Sequence, residues 1–170
     1  MLLIDVDNFK SINDTYGHLF GDRVLTETAG SLRTIFRRED IVARIGGDEF
    51  VVFMTNLQKS DFIAGKVEAI RKIFDHYTTG ETTCSIGCSI GVSLFPGHGT
   101  DFMSLFAKAD AAMYQAKKNG KGRYCIYGQR GGTRQGQAED ERVQAVRQGI
   151  GPDGEKSLER ELAHKEMVYR

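Results

Sequence analysis

Two acidic pairs in this chain stand where carboxylates could meet. Asp5 and Asp7 close a short apolar run, and Asp48 and Glu49 follow Gly46-Gly47 between two further apolar runs. Carboxylates converging from strand ends, with a main-chain carbonyl between them, suit a hard divalent ion such as Mg²⁺ or Mn²⁺, which keeps waters and takes few protein oxygens. Nucleoside triphosphate chemistry uses such ions. Acids at turns are also common as solvated surface groups, and spacing alone does not choose between the two. A cationic run, Lys117-Lys118-Asn119-Gly120-Lys121-Gly122-Arg123, adds a second element. It reads as a helix C-terminus, where cations favour the dipole and glycine ends the helix. It also reads as a phosphate-neutralising segment facing the metal site, and the two roles are compatible.

Positioning these groups requires a particular set of elements. Met1 to Val6 reads as a buried strand ending on acids. Gly21 to Arg38 repeats Val24, Leu25, Leu32, Ile35 and Phe36 at helical spacing. Asp40 to Ile45 and Glu49 to Met54 read as a hairpin, because Gly46-Gly47-Asp48 supplies the positive φ of a tight turn and leaves an acid at its tip. Pairing of that hairpin beside the first strand brings Asp48 close to Asp5. Ser60 to Tyr77 reads as a helix through Ile63, Val67, Ile70, Phe74 and Tyr77. Cys88, Ile90, Val92 and Leu94 alternate as in a half-buried strand. Asp101 to Asn119 reads as a helix with Gly120 as its stop, and Arg123 to Tyr127 as a final strand. The central hairpin excludes a plain doubly wound parallel sheet. An α/β (α+β) layout of the ferredoxin-like type, a mixed antiparallel sheet flanked by helices, fits the order.

Composition narrows the class. Lys+Arg and Asp+Glu are 23 each within 170 residues, so no global field attracts nucleic acid or an anionic membrane. No apolar run reaches the roughly 20 residues of a membrane span, and Asp5 interrupts the opening run too early for a signal core. Cys84, Cys88 and Cys125 are too few and too poorly spaced for a disulfide framework or zinc site, and Cys84 and Cys88 read as small buried thiols of one strand pattern. A reducing, cytoplasmic compartment fits. Residues 128–154 are rich in Gly, Gln, Arg and acids and read as linker, whereas Glu155 to Arg170 regains helical character through Leu158, Leu162 and Val168.

Gly46-Gly47-Asp48-Glu49-Phe50 resembles the signature of the GGDEF family, the diguanylate cyclases, with a nucleotidyl-cyclase palm-type fold. Further blocks accompany it in family order: Asp5-Val-Asp-Asn-Phe-Lys-Ser-Ile-Asn13, Gly21-Asp22, Ser89-Ile-Gly-Val-Ser, Ala109-Asp-Ala-Ala-Met-Tyr-Gln-Ala-Lys117 and Asn119-Gly-Lys-Gly-Arg. The resemblance covers residues 1–127. It implies condensation of two GTP into cyclic di-GMP and two pyrophosphates by a homodimer in which each subunit presents one GTP. It further implies that Asp5, Asp48 and the Val6 carbonyl hold Mg²⁺ or Mn²⁺. Glu49 would join them as a second-metal ligand or an aid in deprotonating the 3′-hydroxyl. Asn8, Phe9, Lys10 and Lys117 match substrate-binding positions, with the backbone N–H groups of Asn8 and Phe9 on phosphate. Asn13 and Asp22 match the guanine-reading positions, where a carboxylate accepts from N1–H and the 2-amino group that adenine lacks. Lys121 stands where the family often has arginine, keeping the charge without the bidentate fork.

Arg37-Arg38-Glu39-Asp40, nine residues before Gly46, matches the family's RxxD inhibitory site for the cyclic product. Arginine suits that task by stacking on guanine and pairing with phosphate; a mixed-charge helix end is the plainer reading. The family's opening Asp-x-Leu-Thr-Gly-Leu-x-Asn-Arg block is not in this sequence, so the resemblance is to a member truncated at its N-terminus. Residues 128–170 form a tail, and Ser157 to Tyr169 resembles the onset of an EAL phosphodiesterase domain. A non-catalytic module that binds GTP or cyclic di-GMP beside such a domain is the alternative function.

Overall fold

A computed structural model describes residues 1–57, 61–75, 77–79, 82–84 and 86–128. The tail expected to be linker and possible EAL onset lies, beyond Gly128, outside the described residues. The elements are β1 (Leu2–Asp7), α1 (Phe9–Tyr16), α2 (His18–Ile35), β2 (Ile41–Gly46), β3 (Glu49–Phe53), α3 (Asp61–Asp75), β4 (Tyr77–Thr79), β5 (Thr82–Cys84), β6 (Gly87–Val92), α4 (Phe102–Lys118) and β7 (Tyr124–Ile126). Five strands form one sheet in the order β2-β3-β1-β6-β7, and β4-β5 form a separate hairpin. β1 is antiparallel to both β3 and β6, whereas β7 runs parallel to β6. The expected mixed sheet flanked by helices is therefore present.

Alternation along β1 divides the core. Leu2, Ile4 and Val6 pack with Val24, Leu25 and Leu32 of α2 and with Ile63, Val67, Ile70 and Phe74 of α3. Leu3 faces the other way, against Leu105, Ala109 and Met113 of α4. The period of two then places Asp5 and Asp7 on the α4 face. That helix lies close to the sheet because Gly91 of β6 has no side chain. A Cβ there would fall 1.9 Å from the Ala109 carbonyl oxygen and 2.4 Å from the Met113 nitrogen.

Helix ends follow from local chemistry. Asp101 caps α4, accepting from the Ser104 N–H at 2.8 Å and the Ser104 hydroxyl at 2.6 Å. At the other end, Gly120 at φ 110° allows a Schellman closure, in which Lys121 N–H donates to Ala116 O and Gly120 N–H to Lys117 O. Among the described residues no helix is long and apolar enough to cross a membrane.

One helix was not anticipated, and three local expectations differ. The segment Phe9–Tyr16 is helical although its apolar residues are few; Ile12 alone is buried, and Gly17 at φ 84° separates α1 from α2. Helix α2 begins earlier than expected, at His18, and stops at Ile35, leaving Phe36 extended at φ −99° and ψ 158°. Phe36 is nonetheless buried, so its hydrophobicity mimicked a further helical turn. Tyr77 likewise leaves α3 and opens the β4-β5 hairpin, which the helical period concealed. Cys84 consequently sits in β5 rather than sharing a strand with Cys88.

Candidate active site

The site is built at the C-terminal end of β1. Asp5 pairs with Glu49 across β1 and β3, and on its other side with Ser89 of β6. The hairpin tip is tied in by a hydrogen bond from the Val6 N–H to the Asp48 carbonyl at 3.2 Å. Gly47, at φ 45°, makes the turn, and Arg44 Nε donates to its carbonyl at 2.8 Å. Asp5, Val6, Asp48 and Glu49 are thus brought to one place.

The last turn of α4 and the segment after it close over this end of the strand through three contacts. Lys117 Nζ donates to Asp5 Oδ2 at 2.6 Å, Lys121 Nζ donates to Asn8 Oδ1 at 2.6 Å, and the Gly122 N–H donates to Asp7 Oδ2 at 2.9 Å. Asp7 also accepts from the buried Ser89 hydroxyl at 2.7 Å. Both of its oxygens are therefore engaged within the protein, and Asp7 acts as a strut for the Gly120-to-Arg123 turn. Sequence reasoning paired Asp7 with Asp5; only the register reveals that Ser89 and Gly122 take it up.

Burial is the main force that pushes the Asp5 carboxyl up from its ordinary value; Lys117 opposes this, and Asp48 and Asp7 add to it. Burial also leads in raising Glu49, and the charge of Asp5 follows, opposed by Lys117 and reinforced by Asp110 and Asp48. Asp110 of α4 contributes to this field although its motif alone assigns it no such role. Its helical position relative to Lys117, seven residues apart, was the available signal.

This donor set fits a divalent cation of a particular kind. Among the described residues no three His, Cys, Asp or Glu side chains form a ready metal cage. The carboxylates at this end, of which Asp5 already accepts an ammonium group, instead suit by their chemistry a hard divalent cation that takes few protein oxygens.

The other expected residues lie on α1, on α2 and in the segment between α2 and β2. Asn8 adopts a left-handed conformation, φ 58°, and opens α1 without a side-chain cap, so the first-turn N–H groups of Phe9 and Lys10 have no intrahelical acceptor. Lys10 is exposed on the same turn. Asn13 lies against α2 at Gly21, where an added Cβ would come within 1.9 Å of its Oδ1, and Asp22 is the next residue. That Asn13 oxygen is buried with no hydrogen-bond partner. Arg37 and Asp40 lie apart from this group, at the opposite end of β2 from the Gly46-Gly47 turn, about 20 Å away at the rise of a strand.

The family model described as "Diguanylate cyclase, GGDEF domain" matches residues 1–123. Over 127 residues, 75% of this chain, the sequence is 39% identical to the bifunctional diguanylate cyclase/cyclic di-GMP phosphodiesterase MucR of Pseudomonas aeruginosa, covering 18% of that protein. It is 35% identical over 127 residues to the cyclic di-GMP phosphodiesterase PdeR of Escherichia coli, covering 75% of this chain and 19% of that one. The chain thus spans about a fifth of the length of these curated relatives. Among solved structures, the GGDEF domain of YfiN (TpbB) from Pseudomonas aeruginosa matches with a TM-score of 0.71 and 35% identity, covering 76% of this chain and 81% of that one.

Proposed function

The chain belongs to the GGDEF, diguanylate cyclase, family, and from that premise we propose that residues 1–127 condense two GTP into cyclic di-GMP with release of two pyrophosphates. One observation carries the reading: Asp5 stands in register with Glu49 while the Asp48 carbonyl accepts from the Val6 N–H. In this reading Asp5, Asp48 and the Val6 carbonyl hold Mg²⁺ or Mn²⁺, with Glu49 beside them as a second-metal ligand or an aid to 3′-hydroxyl deprotonation. The bound cation supplies Lewis-acid polarisation at the α-phosphate and lowers the 3′-hydroxyl pKa.

The chain's own groups do the positioning. The Asn8 and Phe9 N–H groups at the start of α1 and the ammonium groups of Lys117 and Lys121 bind phosphate oxygens, with Lys10 flanking them. Asn13 and Asp22 read guanine; the Asn13 oxygen, buried against Gly21 without a hydrogen-bond partner, is an acceptor that the fold leaves unused. A second copy of the chain presents the second GTP, so that the 3′-oxygen of one nucleotide attacks the α-phosphorus of the other and pyrophosphate leaves. The protein works in the cytoplasm, and cyclic di-GMP slows it through Arg37 and Asp40. Incubation with GTP and Mg²⁺ followed by nucleotide separation tests the proposal. Cyclic di-GMP should accumulate at a rate rising with the square of dilute enzyme concentration; its absence at concentrations where the protein is dimeric refutes it.

A second reading, a non-catalytic module that binds GTP or cyclic di-GMP, is favoured by the similarity to PdeR, a protein named as a phosphodiesterase. Calorimetry separates the two, because tight nucleotide binding without turnover identifies the module.

A further inference from the structure

We propose that Lys117 is a resident counter-ion that holds Asp5 until a nucleotide draws it away, making metal and nucleotide binding mutually dependent. The inference rests on the metal-site reading above and adds to it an order of exchange.

The Lys117–Asp5 pair is no solvated surface contact. Its N···O distance is 2.6 Å, and the two side chains are only 34% and 10% exposed. The ammonium group is delivered on a fixed stem: Lys117 lies in the last turn of α4, its carbonyl accepts from Gly120, and α4 is seated on β6 at Gly91. Lys121, in the turn that follows α4, is held by a neutral amide oxygen of Asn8 instead of an acid. Lys117 therefore faces the acids of β1 and β3 as a cation would.

Two exchanges follow from this geometry. A divalent cation arriving alone must take Asp5 from Lys117, which leaves an ammonium group beside a divalent charge and deprived of its acceptor. A phosphate arriving with the cation offers that ammonium a new anionic partner, so both transfers proceed together. By linkage, whatever factor the nucleotide adds to metal affinity, the metal adds to nucleotide affinity.

Calorimetric titration of the full chain with MnCl₂, alone and in the presence of the α,β-methylene analogue of GTP, tests this. Lys117→Gln should bind Mn²⁺ alone roughly fivefold or more tightly than wild type, and the gain from the analogue should shrink correspondingly. Lys117→Arg, which keeps the charge, and Lys118→Gln, which removes a charge one residue away, should stay within about twofold of wild type. Lys117→Met repeats the test if the glutamine variant does not fold. Unchanged or weaker Mn²⁺ binding by Lys117→Gln, with binding lost in Asp5→Asn, overturns the counter-ion role and leaves the metal site standing. An equal gain in Lys118→Gln also overturns it, since the general field would then be the cause. Wild-type Mn²⁺ binding by Asp5→Asn overturns both readings.

Discussion

Asp5 and Glu49 are direct partners across β1 and β3, and burial first, then the charge on Asp5, raises the pKa of the Glu49 carboxyl. Like charges facing across antiparallel strands are destabilising, and here burial deepens the cost. Lys117, 2.6 Å from Asp5, offsets part of that cost.

A pH dependence follows. Both carboxyls are raised in the folded state, so between the ordinary carboxylate range, about 4, and the folded values the native protein binds more protons than the unfolded chain. Their contribution is fully present below that range and is lost as pH rises through the folded values. Glu49→Gln should accordingly raise the melting temperature at neutral pH in EDTA and flatten the fall in stability between acid and neutral pH. Added Mg²⁺ with GTP should favour wild type over the variant. Thermal melts across pH check this, and an unaltered profile in Glu49→Gln would show that the pair carries no such strain.

Asp48→Ala should stop synthesis while leaving the fold in place. The side chain is on a turn, so truncation opens no core cavity, and the backbone carbonyl that ties the tip to Val6 remains. A group aimed at developing charge is commonly worth roughly 10²–10³ in rate, and turnover should fall by at least that much. Circular dichroism and GTP turnover measured on the same sample decide the matter; retained turnover would place the metal elsewhere.

How much of this was readable from sequence varies with the type of signal. β1, the hairpin and α4 were plain because their periods and stops are local: Ile4 and Val6 alternate with Asp5 and Asp7, and Gly120 ends the helix. Helix α1 was not, because Ile12 is its sole buried residue and its stability depends on α2. Phe36 and Tyr77 extended the apparent helices because burial in a strand or an extended segment requires the same hydrophobicity. In the site, Asp5, Asp48 and Glu49 were legible as acids on turns and strand ends. Asp7 as a strut depends on contacts with β6 and the turn after α4 that no local pattern encodes, whereas Asp110 as a source of field had one local signal, its helical spacing from Lys117.

Gly91→Ala should be costly in a way its small volume does not suggest. Its Cβ would meet the Ala109 carbonyl and the Met113 nitrogen, both backbone atoms that cannot rotate away. Displacing α4 to relieve the clash should cost about 1–3 kcal/mol or more, and would loosen the Lys117 and Gly122 contacts with Asp5 and Asp7 as well. Gly30→Ala is the matched control, since a Cβ there on α2 meets nothing within 4 Å. It should stabilise by about 0.5–1 kcal/mol through helix propensity. Urea denaturation of the two variants checks both signs, and a neutral Gly91→Ala would mean that α4 can shift on the sheet without loss.

Arg37 and Asp40 should separate when tested for product inhibition, because the Asp40 carboxylate is tied to two backbone donors whereas the Arg37 guanidinium has an exposed ion pair. Asp40 accepts the Arg37 N–H through Oδ2 and the Thr55 N–H through Oδ1, each at 3.0 Å, so it fastens the end of α2 to the segment following β3. The Arg37 side chain is exposed, with Glu39 at 3.9 Å as an open surface pair. Arg37→Ala should therefore keep wild-type stability within about 0.5 kcal/mol. It should also keep uninhibited GTP turnover, since the residue lies a strand's length from the Gly46-Gly47 turn, while weakening inhibition by cyclic di-GMP about tenfold or more through loss of charge-assisted contacts. Asp40→Ala should weaken inhibition too, but at a further cost of roughly 1.5–3 kcal/mol in folding as two backbone donors lose a charged acceptor. Initial rates against added cyclic di-GMP, set beside urea midpoints for both variants, make the comparison. Equal inhibition of wild type and Arg37→Ala would leave Asp40 as a structural tie and the Arg37-to-Asp40 segment as a charged helix end.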